Sequence, residues 1–272
     1  MMTSPVPILK QTLTSVAIAL ILTGCDSGVS VRKVCKETPQ FCQDLNKDSW
    51  CKDKRANVII GRYLESQQAS DDIRYQLILD LESYSECVEI ASHIEHIKLK
   101  EKTTTRVQGY VTSLKELERL KNVTKSSNDP RLLYWHWSRN GDENALTQFL
   151  KLRETGDLET PDLQFKLATY WVKIDRDATI DILYHALALY KDGDKIDPEI
   201  LKTLSTLYLK EDKLKHAYVW GRIAKDYGMK EIDLAPMKAI LGNQGVDVDK
   251  LDDFADEYQS QIESGSFVPP KR

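Results

Sequence analysis

The sequence lacks the common catalytic signatures. It has no G-x-S-x-G, no glycine-rich phosphate loop and no H-E-x-x-H, so activated-serine hydrolysis, P-loop nucleotide chemistry and zincin proteolysis lack the residues they need. A long hydrophobic run is also missing. The apolar stretch Thr12–Leu22 covers only about ten residues, half of the roughly 20 that a membrane-spanning helix requires. There is no basic block, and acids outnumber bases, 42 against 38; this balance argues against nucleic acid as the main partner. Glycine is scarce, 12 residues in 272, and β-branched residues are little clustered, which leans towards helix.

What is present begins at the amino terminus. Met1–Thr23 carries one basic residue, Lys10, no acid, and then the short apolar run; this is the pattern of an export signal. The junction Leu22-Thr23-Gly24-Cys25 resembles the lipobox of bacterial lipoproteins. That resemblance implies cleavage before Cys25, a diacylglyceryl group on its thiol and a further acyl chain on the new amino terminus. One acyl chain holds a protein marginally, whereas two or more anchor it stably. Asp26, by similarity to the enterobacterial sorting rule, implies retention at the inner membrane with the domain facing the periplasm; an outer-membrane location stays open. Removing residues 1–24 leaves 37 basic against 42 acidic side chains, a net charge of −5.

Four further cysteines, Cys35, Cys42, Cys51 and Cys87, all lie in the first part of the mature chain. An even number in an oxidising compartment predicts two disulfides, with three pairings open. Their spacings contain no CxxC pair, so a cysteine metal centre is the weaker reading.

The pattern along the chain is helical. Asp26–Lys33 reads as a tether and Cys35–Trp50 as a cross-linked loop. Val58, Ile59, Tyr63 and Leu64 then recur at helical spacing. Asp71 opens a second helix, with Ile73, Leu77, Leu81, Tyr84, Val88 and Ala91 on one face. A third helix is predicted over about 104–123, with Val107, Val111, Leu114, Leu117 and Leu120 in register. Ser126–Pro130 marks the best internal boundary. Beyond it, Asp129-Pro130, Thr160-Pro161 and Asp197-Pro198 each place a capping side chain before a proline, a favoured helix start. The expected organisation is a signal segment 1–24, a tether and Cys-rich segment 25–50, a helical region 51–126, helical repeats 127–264 and a loose tail 265–272.

An offset of 37 residues relates Pro161 to Pro198, Leu167 to Leu204, Trp171 to Tyr208, Ile180 to Ala217, Leu183 to Trp220 and Tyr190 to Tyr227. Each unit would hold two helices that bury their faces only by stacking. Leu204, Ser205, Tyr208, Ala217 and Ala224, with the stretch His216–Ala224, resemble the tetratricopeptide and Sel-like repeat families. Leu167, Ala168, Trp171, Ile180, Tyr184 and Leu187 supply the preceding unit. Leu133, Trp137, Ala145, Phe149 and Leu152 suggest a shortened earlier one. Gly221 departs from the repeat consensus, and the period is longer than usual. The chain also resembles a gammaproteobacterial lipoprotein family with no assigned activity, on Val34–Pro39, Cys42–Asn46, Trp50-Cys51 and Leu163–Tyr170. The implied fold is all-α, with antiparallel helix pairs stacked as a short α-solenoid behind a disulfide-linked helical region. Met237, Ile240 and Leu241, then Leu251, Phe254, Ala255, Tyr258 and Ile262, read as further helices that cap its end.

Several constellations carry a chemical reading. Asp44-x-Asn46-x-Asp48 has the oxygen spacing of half a calcium loop, but Ser49 and Arg55 stand where a turn glycine and a bidentate glutamate belong; a solvated turn is the better reading. Glu89, His93 and His96 share a helix face; a transition metal could bind there, but polar side chains on an exposed helix face explain the same spacing more simply. No catalytic residue, metal site or cofactor is expected. Trp135, Trp137, Trp171, Tyr184, Tyr208 and Trp220 are the candidate groove residues; core packing is the competing role. The expected function is a membrane-anchored interaction module of the envelope, held by lipid on Cys25 and binding another envelope protein or peptide. Alternatives are a self-associating structural protein or, more weakly, an enzyme on envelope polymers. The oligomeric state is open.

Overall fold

The computed structural model describes residues 29–95 and 98–270. The signal segment, Cys25, Asp26, His96 and Arg272 lie outside the described residues. Among those described, the chain forms twelve α-helices and no strand, and no helix is long and apolar enough to cross a membrane.

The first region comprises α1 (Val31–Glu37), a 3-10 turn (Pro39–Phe41), α2 (Lys52–Gln67), α3 (Asp71–Ser92) and α4 (Lys100–Thr124). Helix α1 takes in the last residues of the expected tether: Ser30 caps it through Lys33 N at 3.3 Å, and Val34 is buried beneath it. The disulfides pair Cys35 with Cys42 and Cys51 with Cys87. The first closes α1 onto the loop, and the second ties the start of α2 to the end of α3. Leu45, Val58, Ile59, Leu77, Ile78, Leu81, Tyr84 and Val88 form the core between them.

Helix α4 packs on α3 in an unexpected register. The face it buries carries Arg106, Gly109, Ser113, Leu120 and Thr124, while Val107, Val111 and Leu114 stand exposed. The physical reason is a polar layer. The Arg106 guanidinium donates to Asp48 Oδ2 at 2.8 Å and to the Ala91 carbonyl at 3.0 Å, and lies 5.1 Å from the Trp50 ring. A buried cation with a carboxylate partner and a carbonyl acceptor is satisfied in a way that a solvent-facing valine does not need to be. Gly109 gives α4 room beside the Tyr84 hydroxyl. The expected apolar stripe therefore faces outward except for half-buried Leu117 and buried Leu120.

The second region comprises α5 (Pro130–Asn140), α6 (Glu143–Thr155), α7 (Pro161–Trp171), α8 (Arg176–Ala188), α9 (Pro198–Lys210), α10 (Leu214–Asp226), α11 (Ala235–Asn243) and α12 (Val248–Glu263). Helices pack in adjacent pairs, α5 with α6, α7 with α8 and α9 with α10, and α12 lies on α10. All three Pro-initiated helices form with their caps: Asp129 accepts from Arg131 N, Thr160 from Leu163 N and Asp197 from Glu199 N. Helix α5 joins the two regions. Its Leu132 and Trp135 belong to the first core, its Leu133 to the second, and Trp135 Nε1 donates to Glu82 Oε1 of α3 at 2.8 Å.

Within the expected tail, residues 265–270 are not loose. Gly265 turns at φ +68°, and a Cβ there would meet the Tyr190 carbonyl and the backbone of Lys191 and Asp192 at 3.0–3.2 Å. Phe267 is then buried.

Candidate functional site

The constellation at Asp44, Asn46 and Asp48 is a brace. Asp44 accepts from Arg62 at 2.9 and 3.2 Å, Asp48 pairs with Arg106, and Asn46 donates to Asp48 Oδ1 and to the Trp50 carbonyl, both at 2.8 Å. Burial pushes the Asp48 carboxyl up, but hydrogen bonds from Asn46 and Arg106 outweigh it and hold the group below the usual carboxylate range. These oxygens face protein cations. Glu89 accepts from the Tyr110 hydroxyl at 3.2 Å, and His93 caps the end of α3. Among the described residues, no group of three or more histidine, cysteine or acidic side chains is disposed to hold a metal.

The six aromatic candidates do not form one groove. Trp135 is buried where the two cores meet. Trp137 sits edge-on to Tyr170 at 5.7 Å. Trp171 lies half-buried beneath Arg153 at 5.8 Å, its indole nitrogen without a hydrogen-bond partner. The other three converge. Tyr184 of α8, Tyr208 of α9 and Trp220 of α10 are buried together, with the two tyrosine hydroxyls 2.6 Å apart. They form the wall of a cleft rather than an open aromatic surface, because adjacent helix pairs need large side chains to fill the space between them. Burial, and after it the neighbouring Tyr208 hydroxyl, raise the Tyr184 phenol far above its ordinary value, so it stays protonated.

Around that wall the aromatic set continues. Tyr258 of α12 stacks on Trp220 at 5.5 Å with the rings 19° from parallel, and His216 stacks on Tyr208 at 4.8 Å. Phe267 enters between them, its ring centroid 5.7 Å from Tyr258, 6.1 Å from Trp220 and 6.3 Å from Tyr184. Two open hollows adjoin this cluster and share His216 at their rims. One, of about 520 Å³, is bordered by Asp177, Asp181, Lys213 and Pro270 as well as the two tyrosines. The other, about 240 Å³, is bordered by Val219, Trp220, Leu251, Phe254 and Tyr258. Phe254 is 53% exposed. The arrangement suits an extended chain that inserts a ring and lies across a rim of mixed charge.

Sequence reasoning missed Phe267, His216, Tyr258 and Phe254 as members of this site. A signal was available for Phe267: it is a lone aromatic in a segment otherwise made of Ser, Gly, Val, Pro and basic residues, where a solvated tail has no need of a ring.

No curated protein and no solved structure matches the chain. One family does, over residues 22–222, a stretch that takes in the brace, both disulfides and the walls contributed by α8, α9 and most of α10. On that match the chain belongs to the family described as "Protein of unknown function (DUF2989)".

Proposed function

We propose that this protein is a lipid-anchored interaction module of the bacterial envelope, in which stacked, tetratricopeptide-like helix pairs present a binding cleft for an extended segment of another envelope protein. The observation that carries the reading is the cleft between α8, α9, α10 and α12, where rings from α8, α10 and α12 receive Phe267 from a non-helical stretch. Aromatic pockets of this kind supply much of the binding energy of protein interfaces. The 37-residue recurrence of Pro-started helix pairs supports the repeat reading. The basic start, short apolar run and Leu22–Cys25 junction support the anchor on Cys25.

Crosslinking in cells that produce the tagged, full-length protein, followed by mass spectrometry, tests the module. The expected result is a dominant envelope partner whose capture falls when exposed rim residues are changed by Phe254→Asp with His216→Glu. Capture that ignores both changes overturns the cleft as the binding surface. Cys25→Ser tests the anchor: it is expected to release the protein from the membrane fraction, and unchanged retention overturns lipid attachment.

Self-association is the second reading, favoured by the outward apolar stripe Val107, Val111 and Leu114 on α4. Sedimentation over a wide concentration range decides it, because a strictly monomeric domain removes it.

A further inference from the structure

The structure assigns the segment Ser264–Pro270 the role of a removable occupant of the aromatic cleft. We propose that it holds the place of an external ligand of the same chemistry: an extended peptide with an aromatic anchor, prolines two and three residues later, and basic residues after them. The inference rests on the interaction-module reading and names that module's ligand and its regulation.

Three observations carry it. The segment fully buries one side chain. Phe267 is 5% exposed among Tyr184, Trp220 and Tyr258, whereas Val268 immediately after it is 73% exposed. Before it, Ser264 and Ser266 bond only to the end of their own helix and to each other. Second, the segment is aimed. Gly265 takes a left-handed turn pressed against the Tyr190–Asp192 backbone, and no residue with a Cβ adopts that turn without strain. Third, the cleft continues past the ring. Pro270 borders the hollow lined by Tyr184, Tyr208, Lys213 and His216, and Asp177 and Asp181 stand on the same rim. Prolines stiffen an extended chain before it binds, so it loses little entropy on docking against aromatic rings, and the two aspartates favour a cation beyond the prolines. The chain's own sequence continues with Lys271 and Arg272.

A tethered occupant competes strongly. Its effective concentration is of order millimolar, so a ligand of the same chemistry and micromolar affinity binding in trans is weakened on the order of a thousandfold while the segment is seated. A partner must therefore arrive at high local concentration or with several contacts, as an envelope-confined partner does.

The test uses the full chain in detergent and a fluorescent peptide copying Ser264–Arg272, read by anisotropy. Wild type is expected to bind the peptide weakly. Phe267→Ala, which empties the cleft, and Gly265→Ala, which misdirects the segment without touching the cleft wall, are expected to bind it at least tenfold more tightly. Changing the peptide's own phenylalanine to alanine is expected to abolish the gain. Equal binding by wild type and both variants overturns the proposal, as does no binding by folded variants. Loss of the cooperative fold in Phe267→Ala makes the segment a permanent seal and overturns it as well. A wild-type dimer that Phe267→Ala dissolves seats the segment in a second copy and overturns the arrangement within one chain. Capture of a partner in cells with no response to these two variants leaves the module standing and sinks only the occupant.

Discussion

Tyr84 and Asn46 hold each other through two hydrogen bonds. The tyrosine hydroxyl donates to Asn46 Oδ1 at 2.9 Å and accepts from the Asn46 backbone N–H at 3.2 Å. Both residues are buried, so neither atom of Asn46 has water to fall back on. Tyr84→Phe removes one oxygen and strands two polar groups. A stranded buried group costs about 1–3 kcal/mol, so the variant is expected to lose about 3 kcal/mol in urea denaturation with disulfides intact. A loss below 0.5 kcal/mol would show that the Cys-rich loop is not pinned through this contact.

The inverted face of α4 makes a prediction that runs against composition. Gly109→Ala improves intrinsic helix propensity by about 1 kcal/mol, yet its methyl group would overlap the Tyr84 hydroxyl, which cannot retreat without releasing Asn46. A net loss of about 2 kcal/mol is expected. Val111→Gln lies on the exposed stripe and is expected to change stability by less than about 0.5 kcal/mol. The reverse order in thermal or urea melts would mean that the apolar stripe is covered.

This helix shows where sequence periodicity stops being informative. An apolar stripe identifies a helix, and α4 is one, but the stripe does not identify the buried face when a polar layer competes for it. Arg106 finds its carboxylate in Asp48, 58 residues earlier, a pairing that no local pattern reveals. The helix starts were legible because caps act within three residues: Asp129, Thr160 and Asp197 each sit one residue before the proline that opens a helix. The aromatic site was half legible. Tyr184, Tyr208 and Trp220 lie in the helix pairs whose spacing recurs, and they do converge. Phe267 closes the cluster from a segment with no periodicity at all, and composition alone reads such a segment as a tail.

The two disulfides are expected to differ in weight. Cys51–Cys87 spans 36 residues of sequence and Cys35–Cys42 only 7. On the chain-entropy account, closing these loops removes about 4 and about 2.5 kcal/mol of unfolded-state freedom respectively. Replacing both cysteines of the long loop with alanine is therefore expected to lower stability more than replacing the short pair. The short loop also positions Asp44, so its removal is expected to loosen the Arg62 pairing and raise amide exchange in residues 39–48. Equal losses from the two double variants would argue against the loop-length account in this domain.

His136 supplies the pH dependence near neutrality. It is buried on α5 with Nε2 3.0 Å from Thr124 Oγ1. That hydroxyl donates its proton to the Leu120 carbonyl at 2.7 Å, so the imidazole donates to it through Nε2. Burial lowers its pKa below the ordinary histidine value, with Lys121 and Lys125 pushing the same way and Thr124 and Asp142 opposing. The unfolded chain then takes up this proton more readily than the folded one. Stability is full above about pH 6.5 and falls as the pH drops below it, with a slope of at most about 1.4 kcal/mol per pH unit. Asp48, Glu65 and Asp129, whose folded pKa values are lowered, lose their contributions only in the acid range below the ordinary carboxylate values, so they do not account for this upper window. His136→Gln retains a donor towards Thr124 and does not titrate. It is expected to flatten the denaturation midpoint between pH 5 and 6.5 relative to wild type. Parallel curves for the two proteins over that range would show that His136 protonates as easily folded as unfolded.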